Sequence, residues 1–254
     1  MKIAVAGAGG RMGRTLIEAI TADRELELGA AFDVAKSGAV GQEIGGVKIA
    51  SDSAAAAASC DVLIDFTRPE GTLAHLQHAK AMVIGTTGFS PAQQKTIAEA
   101  AKRMPIVMAA NFAVGVNAAY RLAETAAKIL GDAYDVEIIE AHHRGKVDAP
   151  SGTALKLGEI ISSALNRKLA DVAKHGREGE TGARPAKQIG FHAIRGGDIV
   201  GEHTIVFAGA GERVEVTVRS QSRMTYAAGA LRAAKWLQGR KPGLYDMFDV
   251  LGLR

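Results

Sequence analysis

The first twenty residues constrain the fold more than any other stretch of the chain. Ile3-Ala4-Val5-Ala6 is a short apolar run ending in glycines, and Met12, Leu16, Ile17 and Ile20 follow at spacings that share one helical face. The pattern predicts a strand, a tight turn and a helix. Gly7, Gly10 and Gly13 form G-x-x-G-x-x-G, a variant of the usual G-x-G-x-x-G in which Gly9 is in phase and Met12 takes the last glycine position. Glycines let the backbone turn tightly and approach a pyrophosphate, while a helix N-terminus offers unpaired N–H groups and a partial positive charge. Asp33 lies twenty residues after Gly13, at the end of a second strand from Leu26 to Phe32, where a carboxylate can accept hydrogen bonds from an adenosine ribose. A purely structural glycine turn is the plainer reading of the motif alone. Strand, helix and acid in register favour a dinucleotide site made of Gly7, Ala8, Gly9, Gly10, Arg11, Met12, Gly13 and Asp33.

The alternation continues downstream. Val62 to Phe66 is a continuous apolar run of the kind found in parallel sheets covered on both faces. Pro69 opens a helix through Ala79, Met82 to Ile84 is a strand, and Ser90-Pro91 with Gln93 combines an N-cap, a proline at the first helical position and a capping-box partner for a helix to Met104. Ile106 to Ala109 closes the series, which short right-handed crossovers assemble into a Rossmann-like, doubly wound parallel sheet. Phe66, Gly85-Thr86-Thr87 and Ala109-Ala110-Asn111-Phe112 fall just past the strands, at the carboxyl edge where open α/β sheets bind ligands. Each loop taken alone reads equally as an ordinary turn. The amide of Asn111 is suited to reading a carboxamide.

After Asn111 the pattern changes. A helical segment from Asn117 to Leu130 leads to a strand from Val136 to Ala141, and a second domain begins near there. Ile189 to Arg195, Ile199 to Phe207 and Val214 to Arg219 are β-rich stretches separated by glycine turns, expected as an antiparallel meander. Lys174 to Lys187, rich in glycine and charge, reads as an exposed loop. A chain of 254 residues is long enough for two such domains. Its formal charge of +4 suits an anionic small molecule and is mild for a nucleic-acid binder, with basic residues spread along the chain. The apolar run before the first glycines is too short for a signal peptide and no later run spans a bilayer, so the expectation is a cytoplasmic enzyme with neither membrane nor nucleic acid as partner. Cys60 has no second cysteine to pair with, and no metal-ligand spacing surrounds it.

Glu140 to Thr153 holds the densest chemistry, with two imidazoles, two cations and a helix-cap sequence within fourteen positions. Adjacent His142 and His143 on extended chain point to opposite sides, so one can face a substrate while the other braces the site or meets a substrate carboxylate. The other histidines show no tight ligand spacing with this pair, and no metal is expected. Lys146 offers a fixed cation and a proton donor, or is a solvated surface lysine. Ser151-Gly152-Thr153 follows Pro150 and begins the apolar pattern Leu155, Leu157, Ile160 and Ile161; its N–H groups and hydroxyls suit a carboxylate, and plain helix capping explains Ser151 equally well.

E-A-H-H-x-x-K-V-D-A-P-S-G-T-A resembles the signature of the 4-hydroxy-tetrahydrodipicolinate reductase family. A-G-A-G-G-R-M-G, Asp65 to Pro69, G-T-T-G-F, Ala110 to Asn117 and Gly196 to His203 extend the resemblance from Met1 to about Tyr226. It implies a nucleotide domain from both chain ends, residues 1–113 and 223–254. It also implies a central α+β domain with a mixed sheet, residues 114–222, that binds substrate and assembles a homotetramer. The implied reaction delivers hydride from NADH or NADPH to C4 of a cyclic dicarboxylate, with loss of its hydroxyl as water, in the diaminopimelate and lysine pathway. His142 and Lys146 match its proton-donating positions, His143 a substrate-binding position, and Gly152 and Thr153, next to Ser151, the contacts to a substrate carboxylate. An amino-acid or semialdehyde dehydrogenase shares the Rossmann half without needing His-His-x-x-Lys beside Ser-Gly-Thr. A non-catalytic NAD(P)-sensing regulator is expected to carry a helix-turn-helix or a basic recognition helix, and the chain shows neither.

Overall fold

The computed structural model describes residues 1–254, which divide into two compact units: Met1–Val114 with Arg223–Arg254, and Gly115–Ser222. The first unit runs β1 (Lys2–Ala6), α1 (Arg11–Ala22), β2 (Glu27–Phe32), a small hairpin of β3 (Glu43–Ile44) and β4 (Val47–Lys48), α2 (Ser53–Ala58), β5 (Val62–Asp65), α3 (Pro69–His75), β6 (Met82–Ile84), α4 (Pro91–Ala100) and β7 (Pro105–Met108). The second unit contains nearly all of α5 (Val114–Leu130), then β8 (Asp135–His142), α6 (Gly152–Ala164), α7 (Leu169–Val172), β9 (Ala173–His175), β10 (Ile189–Arg195), β11 (Gly201–Ala208) and β12 (Arg213–Ser220). The chain then returns to the first unit with α8 (Met224–Leu237), β13 (Gly243–Tyr245) and α9 (Met247–Leu251).

In the first unit the strands pair in the order β13-β7-β6-β5-β1-β2, every pair parallel. The two-residue period of the strands sorts their side chains between two cores. Ile3, Val5, Val62, Ile64, Val83 and Val107 join the layer that includes Leu16, Ile17, Ile20 and the alanines of α8. Ala4, Ala6, Leu63, Met82, Ile84 and Ile106 join the opposite layer with Ile97 of α4. Each fully buried Ile or Leu contributes about 1.5–3 kcal/mol, so a one-residue slip of β1 or β5 would sacrifice both layers at once. The direction of winding reverses between β1 and β5, which is where an open α/β sheet presents its ligand crevice.

Local signals set the helix ends. Ser90 caps α4 in a capping box with Gln93, with Pro91 in the first turn, as the sequence predicts. That helix ends at Ala100, with turn structure to Met104, and α3 ends at His75 rather than Ala79. Helix α5 starts at Val114, three residues before the expected Asn117.

The second unit corrects the expected meander. Its sheet order is β12-β11-β8-β10-β9: β11 and β12 form an antiparallel hairpin, but β8 lies between β11 and β10, antiparallel to the first and parallel to the second. The glycine turn after β10 therefore straddles the end of β8 instead of closing a hairpin, with Gly196 N–H donating to His142 O at 3.0 Å and Arg144 N–H to Gly197 O at 3.2 Å. The physical reason is backbone pairing: β8 gains a ladder on each edge, and with α6 over one face Val136, Ile138 and Glu140 are each about 1% exposed or less. Helix α6 packs on β8 and β10, with Leu157 and Ile161 fully buried.

The glycine-rich segment after β9 is largely exposed and is fastened to β8 by two arginines. Arg184 donates to Glu137, Asp135 and the Val136 carbonyl, and Arg177 makes a two-point pair with Glu137 at 2.8 and 3.1 Å.

Candidate active site

The glycine loop of the first unit is tied internally before it meets any ligand. Gly7 turns the chain at φ +67°, Ala8 N–H donates to Phe32 O, Gly10 N–H to Gly7 O, and Gly9 N–H to Asp33 Oδ2 at 3.0 Å. A Cβ at Gly13 would lie 2.2 Å from Gly7 O, and one at Gly9 would lie 2.5 Å from Ala39 Cβ, so neither position accepts a side chain without displacing backbone or neighbours. With the amides of 8, 9 and 10 occupied, the donors left for an anion are those of Arg11, Met12 and Gly13 in the first turn of α1, whose N-cap Gly10 supplies no side chain. Asp33 accepts from Gly9 and from Val34 N–H, one bond to each oxygen, and each oxygen keeps a further acceptor site for a ribose hydroxyl.

Phe66, Gly85 and Phe112 meet beyond the strand ends. The ring of Phe66 lies where a Cβ of Gly85 would stand, 2.2 Å from it, and packs on Phe112 with centroids 5.5 Å apart. The hydroxyl of Thr86 turns inward, accepting from Thr72 at 2.9 Å and reaching Asp65 at 3.3 Å, so this residue faces the core while Thr87 is exposed. Asn111 closes a local turn by accepting Ala113 N–H at 2.9 Å, with Ala109 half-buried and Ala110 exposed before it.

In the second unit, β8 delivers Glu140 and His142 to the same face because they are two residues apart. His203 of β11 stands opposite Glu140 in the ladder, and Arg195 of β10 stands beside His142, so three strands converge on one carboxylate. Arg195 binds Glu140 through both terminal nitrogens at 2.6 and 2.7 Å and also donates to Asp148 O at 2.7 Å. Burial works against the ionised Glu140, but the hydrogen bonds from Arg195 and His142 outweigh it and hold the carboxyl below its usual range. The other Glu140 oxygen accepts Ser151 N–H at 3.1 Å. His142 Nδ1 sits 2.6 Å from Glu140 Oε2; with that carboxylate ionised, Nδ1 carries a proton and Nε2 is the atom presented outward. Burial lowers the His142 pKa, and the Glu140 hydrogen bond opposes it.

His203 packs edge-on to His142, 5.2 Å between centroids, with Nε2 3.0 Å from Ser151 Oγ. Burial, and then the neighbouring His142, press its pKa down to about 4, so it is neutral. Ser151 is 2% exposed and its hydroxyl also accepts Ala154 N–H as the N-cap of α6. Its side chain is thus spent on capping and bracing. Gly152 and Thr153 occupy the first turn of α6, and nothing lies within 4 Å of the space a Gly152 side chain would fill. Lys146 N–H donates to His143 O at 3.0 Å, closing a four-residue turn that folds the lysine back toward the two histidines and gives the His-x-x-Lys spacing its meaning. The lysine ammonium meets both oxygens of Asp148 at 2.8 Å.

The second unit therefore links His142 and Ser151 through Glu140, closes the turn from His143 to Lys146 beside them, and sets Gly152 and Thr153 in the turn of α6 that Ser151 caps. Sequence reasoning assigned no role to Glu140, Arg195, His203 or Asp148. A carboxylate on the apolar face of a strand, two residues before a histidine, is the signal that marks Glu140; Arg195 and His203 carry no local mark, because strand register alone brings them in.

The sequence matches two family models: Dihydrodipicolinate reductase, N-terminus, over residues 1–112, and Dihydrodipicolinate reductase, C-terminus, over residues 115–251. It is 58% identical to a 4-hydroxy-tetrahydrodipicolinate reductase of Aromatoleum aromaticum, covering 100% of this chain and 96% of the relative, and 57% identical to that of Dechloromonas aromatica, covering 100% and 98%. Among solved structures, a dipicolinate-bound dihydrodipicolinate reductase from Paenisporosarcina sp. TG-14 superposes with a TM-score of 0.77 at 27% identity over 98% of both chains. An aspartate semialdehyde dehydrogenase from Vibrio cholerae, TM-score 0.54 at 11% identity over 93% of this chain and 98% of that one, shares the fold alone.

Proposed function

The chain belongs to the dihydrodipicolinate reductase family, and from that premise we propose how its residues carry out the NAD(P)H-dependent reduction of 4-hydroxy-tetrahydrodipicolinate to tetrahydrodipicolinate. The observation that carries the reading is the ionised Glu140, clamped by Arg195 and aiming His142, beside a turn that brings Lys146 to the same place. The reaction takes one hydride and one proton; the ring hydroxyl leaves as water.

The first unit fits a reduced dinucleotide. Its loop admits no side chain at Gly9 or Gly13, the first turn of α1 is left for a pyrophosphate, and the Asp33 carboxylate is set for a ribose. The cofactor-binding set is Gly7 to Gly13, Asp33, Phe66, Gly85 to Thr87 and Ala109 to Phe112, with the Thr86 hydroxyl excepted. Bound there, the dihydronicotinamide supplies hydride. In the second unit His142 and Lys146 supply the proton and the positive field for the charge that develops as hydride arrives. His143 and the N–H groups of Gly152 and Thr153 hold a substrate carboxylate, helped by the positive end of α6.

The exposed face of the second sheet supports a homotetramer. Ile139, Val206 and Ile194 lie on the face opposite α6, and Ile194 is 52% exposed there. No helix is long and apolar enough to cross a membrane, and the proposed location is the cytoplasm, with no nucleic-acid partner. Incubation with enzymatically generated 4-hydroxy-tetrahydrodipicolinate, following NAD(P)H absorbance, tests the activity. Failure to oxidise the cofactor overturns the reading.

A further inference from the structure

Asp65 ends β5 beside the point where the winding of the sheet reverses, with 0% exposure, and nothing in the proposed chemistry uses it. Its Oδ1 accepts Thr67 N–H at 2.9 Å and Thr67 Oγ1–H at 2.6 Å, and Thr86 Oγ1 reaches the same oxygen at 3.3 Å. Its Oδ2 lies 2.7 Å from His75 Nδ1, near the end of α3, and the ring of His75 is fixed edge-on to Phe32. Thr72 of α3 donates to Thr86 and completes the set.

Two of these partners lie in or beside segments assigned to the cofactor, Thr67 next to Phe66 and Thr86 in the loop after β6, while His75 and Thr72 lie on α3. Thr67 abuts the glycine loop, where a Cβ at Gly7 would come within 3.0 Å of its methyl group. Phe66, between Asp65 and Thr67, lies against Gly85, and Gly85 N–H donates to Asp65 O at 2.8 Å. A buried carboxylate is costly unless fully hydrogen-bonded, and this one keeps its partners only while the Phe66–Thr67 segment, the Gly85–Thr86 loop and α3 hold their places. We infer that Asp65, oriented by His75, is a positioning residue for the reduced dinucleotide: it locks the segment carrying Phe66 and Thr67 and the loop Gly85–Thr86 into the arrangement that binds cofactor. It touches no reacting atom. The inference rests on the proposed cofactor site and extends it to residues that line no ligand surface.

The test is calorimetric titration of the whole protein with NADH alone, beside steady-state kinetics. Removing one charge-assisted partner from a network of this kind is expected to weaken NADH binding about tenfold in Asp65→Asn, and about as much in His75→Ala. KM for the dicarboxylate and kcat at saturating NADH are expected to stay within about twofold, because the second unit is untouched. His75→Asn, whose amide N–H can stand in for the Nδ1–H, is expected to recover most of the affinity. A merely structural role predicts instead that melting temperature and all kinetic constants fall together, with no recovery in His75→Asn. That pattern, or unchanged NADH affinity in Asp65→Asn, overturns the inference. A wild-type protein that fails to bind NADH overturns the cofactor assignment itself.

Discussion

The Nδ1 atom of His142 lies 2.6 Å from Oε2 of Glu140, and the same carboxylate is gripped at both oxygens by Arg195. This fixes the ring and its tautomer, so any proton that the imidazolium gives up leaves from Nε2. His142→Gln and Lys146→Ala are each expected to lower kcat by about two or more orders of magnitude, the scale of lost general-acid or electrostatic assistance. Near-normal turnover in both removes the assignment.

The pH profile follows from the same pair. As the proposed acid, His142 would need its second proton, and burial lowers its pKa below the ordinary 6.5, so kcat/KM is expected to decline as pH rises through a value on the acid side of 6.5. Glu140 is the group that opposes this lowering. Glu140→Gln removes the anion, so the limb should move to still lower pH, whereas a role limited to packing leaves it in place while kcat falls.

Acid stability has two successive steps with calculable signs. His203 titrates near 4 in the fold and near 6.5 when unfolded, so between these values the unfolded chain binds the extra proton and stability falls as pH is lowered. Burial works against the ionised Glu137, yet hydrogen bonds from Arg177, Arg184 and His192 hold it at about 2, so its contribution is present above about 4.5 and is lost as pH falls toward 2. At ~1.4 kcal/mol per unit, His203→Asn is expected to remove about 2–3 kcal/mol of the loss between pH 6.5 and 4. Denaturant midpoints across that range measure it, and an unaltered slope refutes the His203 account.

Much of the first unit was legible because its information is local. The apolar run Ile3-Ala4-Val5-Ala6 and the glycine spacing through Gly13 are written in contiguous residues, as is the Ser90–Gln93 box. The second unit was legible in its elements and not in their order. Ile189 to Arg195 and Ile199 to Phe207 read as hairpin partners because a glycine turn separates them, yet β8 lies between them and pairs with both. The candidate site divides the same way. His142, His143 and Lys146 stand out by type and spacing, whereas Arg195 reaches Glu140 across 55 residues through register alone. Ser151 and Thr86 were named by motif, and only packing reveals that their hydroxyls face inward.

Oligomeric state can be broken from the exposed sheet face. Ile194→Asp places a charge on that face without disturbing the layer under α6, so tetramers of the wild type are expected to give way to smaller species in light scattering at micromolar concentration. A monomeric wild type refutes the assembly outright.

Cofactor preference turns on Asp33 and its neighbour. The Asp33 carboxylate is anchored by Gly9 N–H and Val34 N–H, so it cannot swing away from a ribose site without losing both bonds. A fixed negative charge there repels the 2′-phosphate of NADPH and favours the free hydroxyls of NADH. Val34 is 61% exposed and offers no compensating cation, which leaves Lys36 and the loop arginines Arg11 and Arg14. Arg14 is partly committed, since its Nε donates to Gly9 O at 3.2 Å. Both cofactors are expected to work, with NADH at least equal to NADPH in kcat/KM. Val34→Arg adds a planar cation beside the ribose site and is expected to move the ratio toward NADPH about tenfold, or about 1.4 kcal/mol. A wild-type enzyme that strongly prefers NADPH shows instead that Lys36 or Arg11 already receives the phosphate, and that Asp33 does not set the choice.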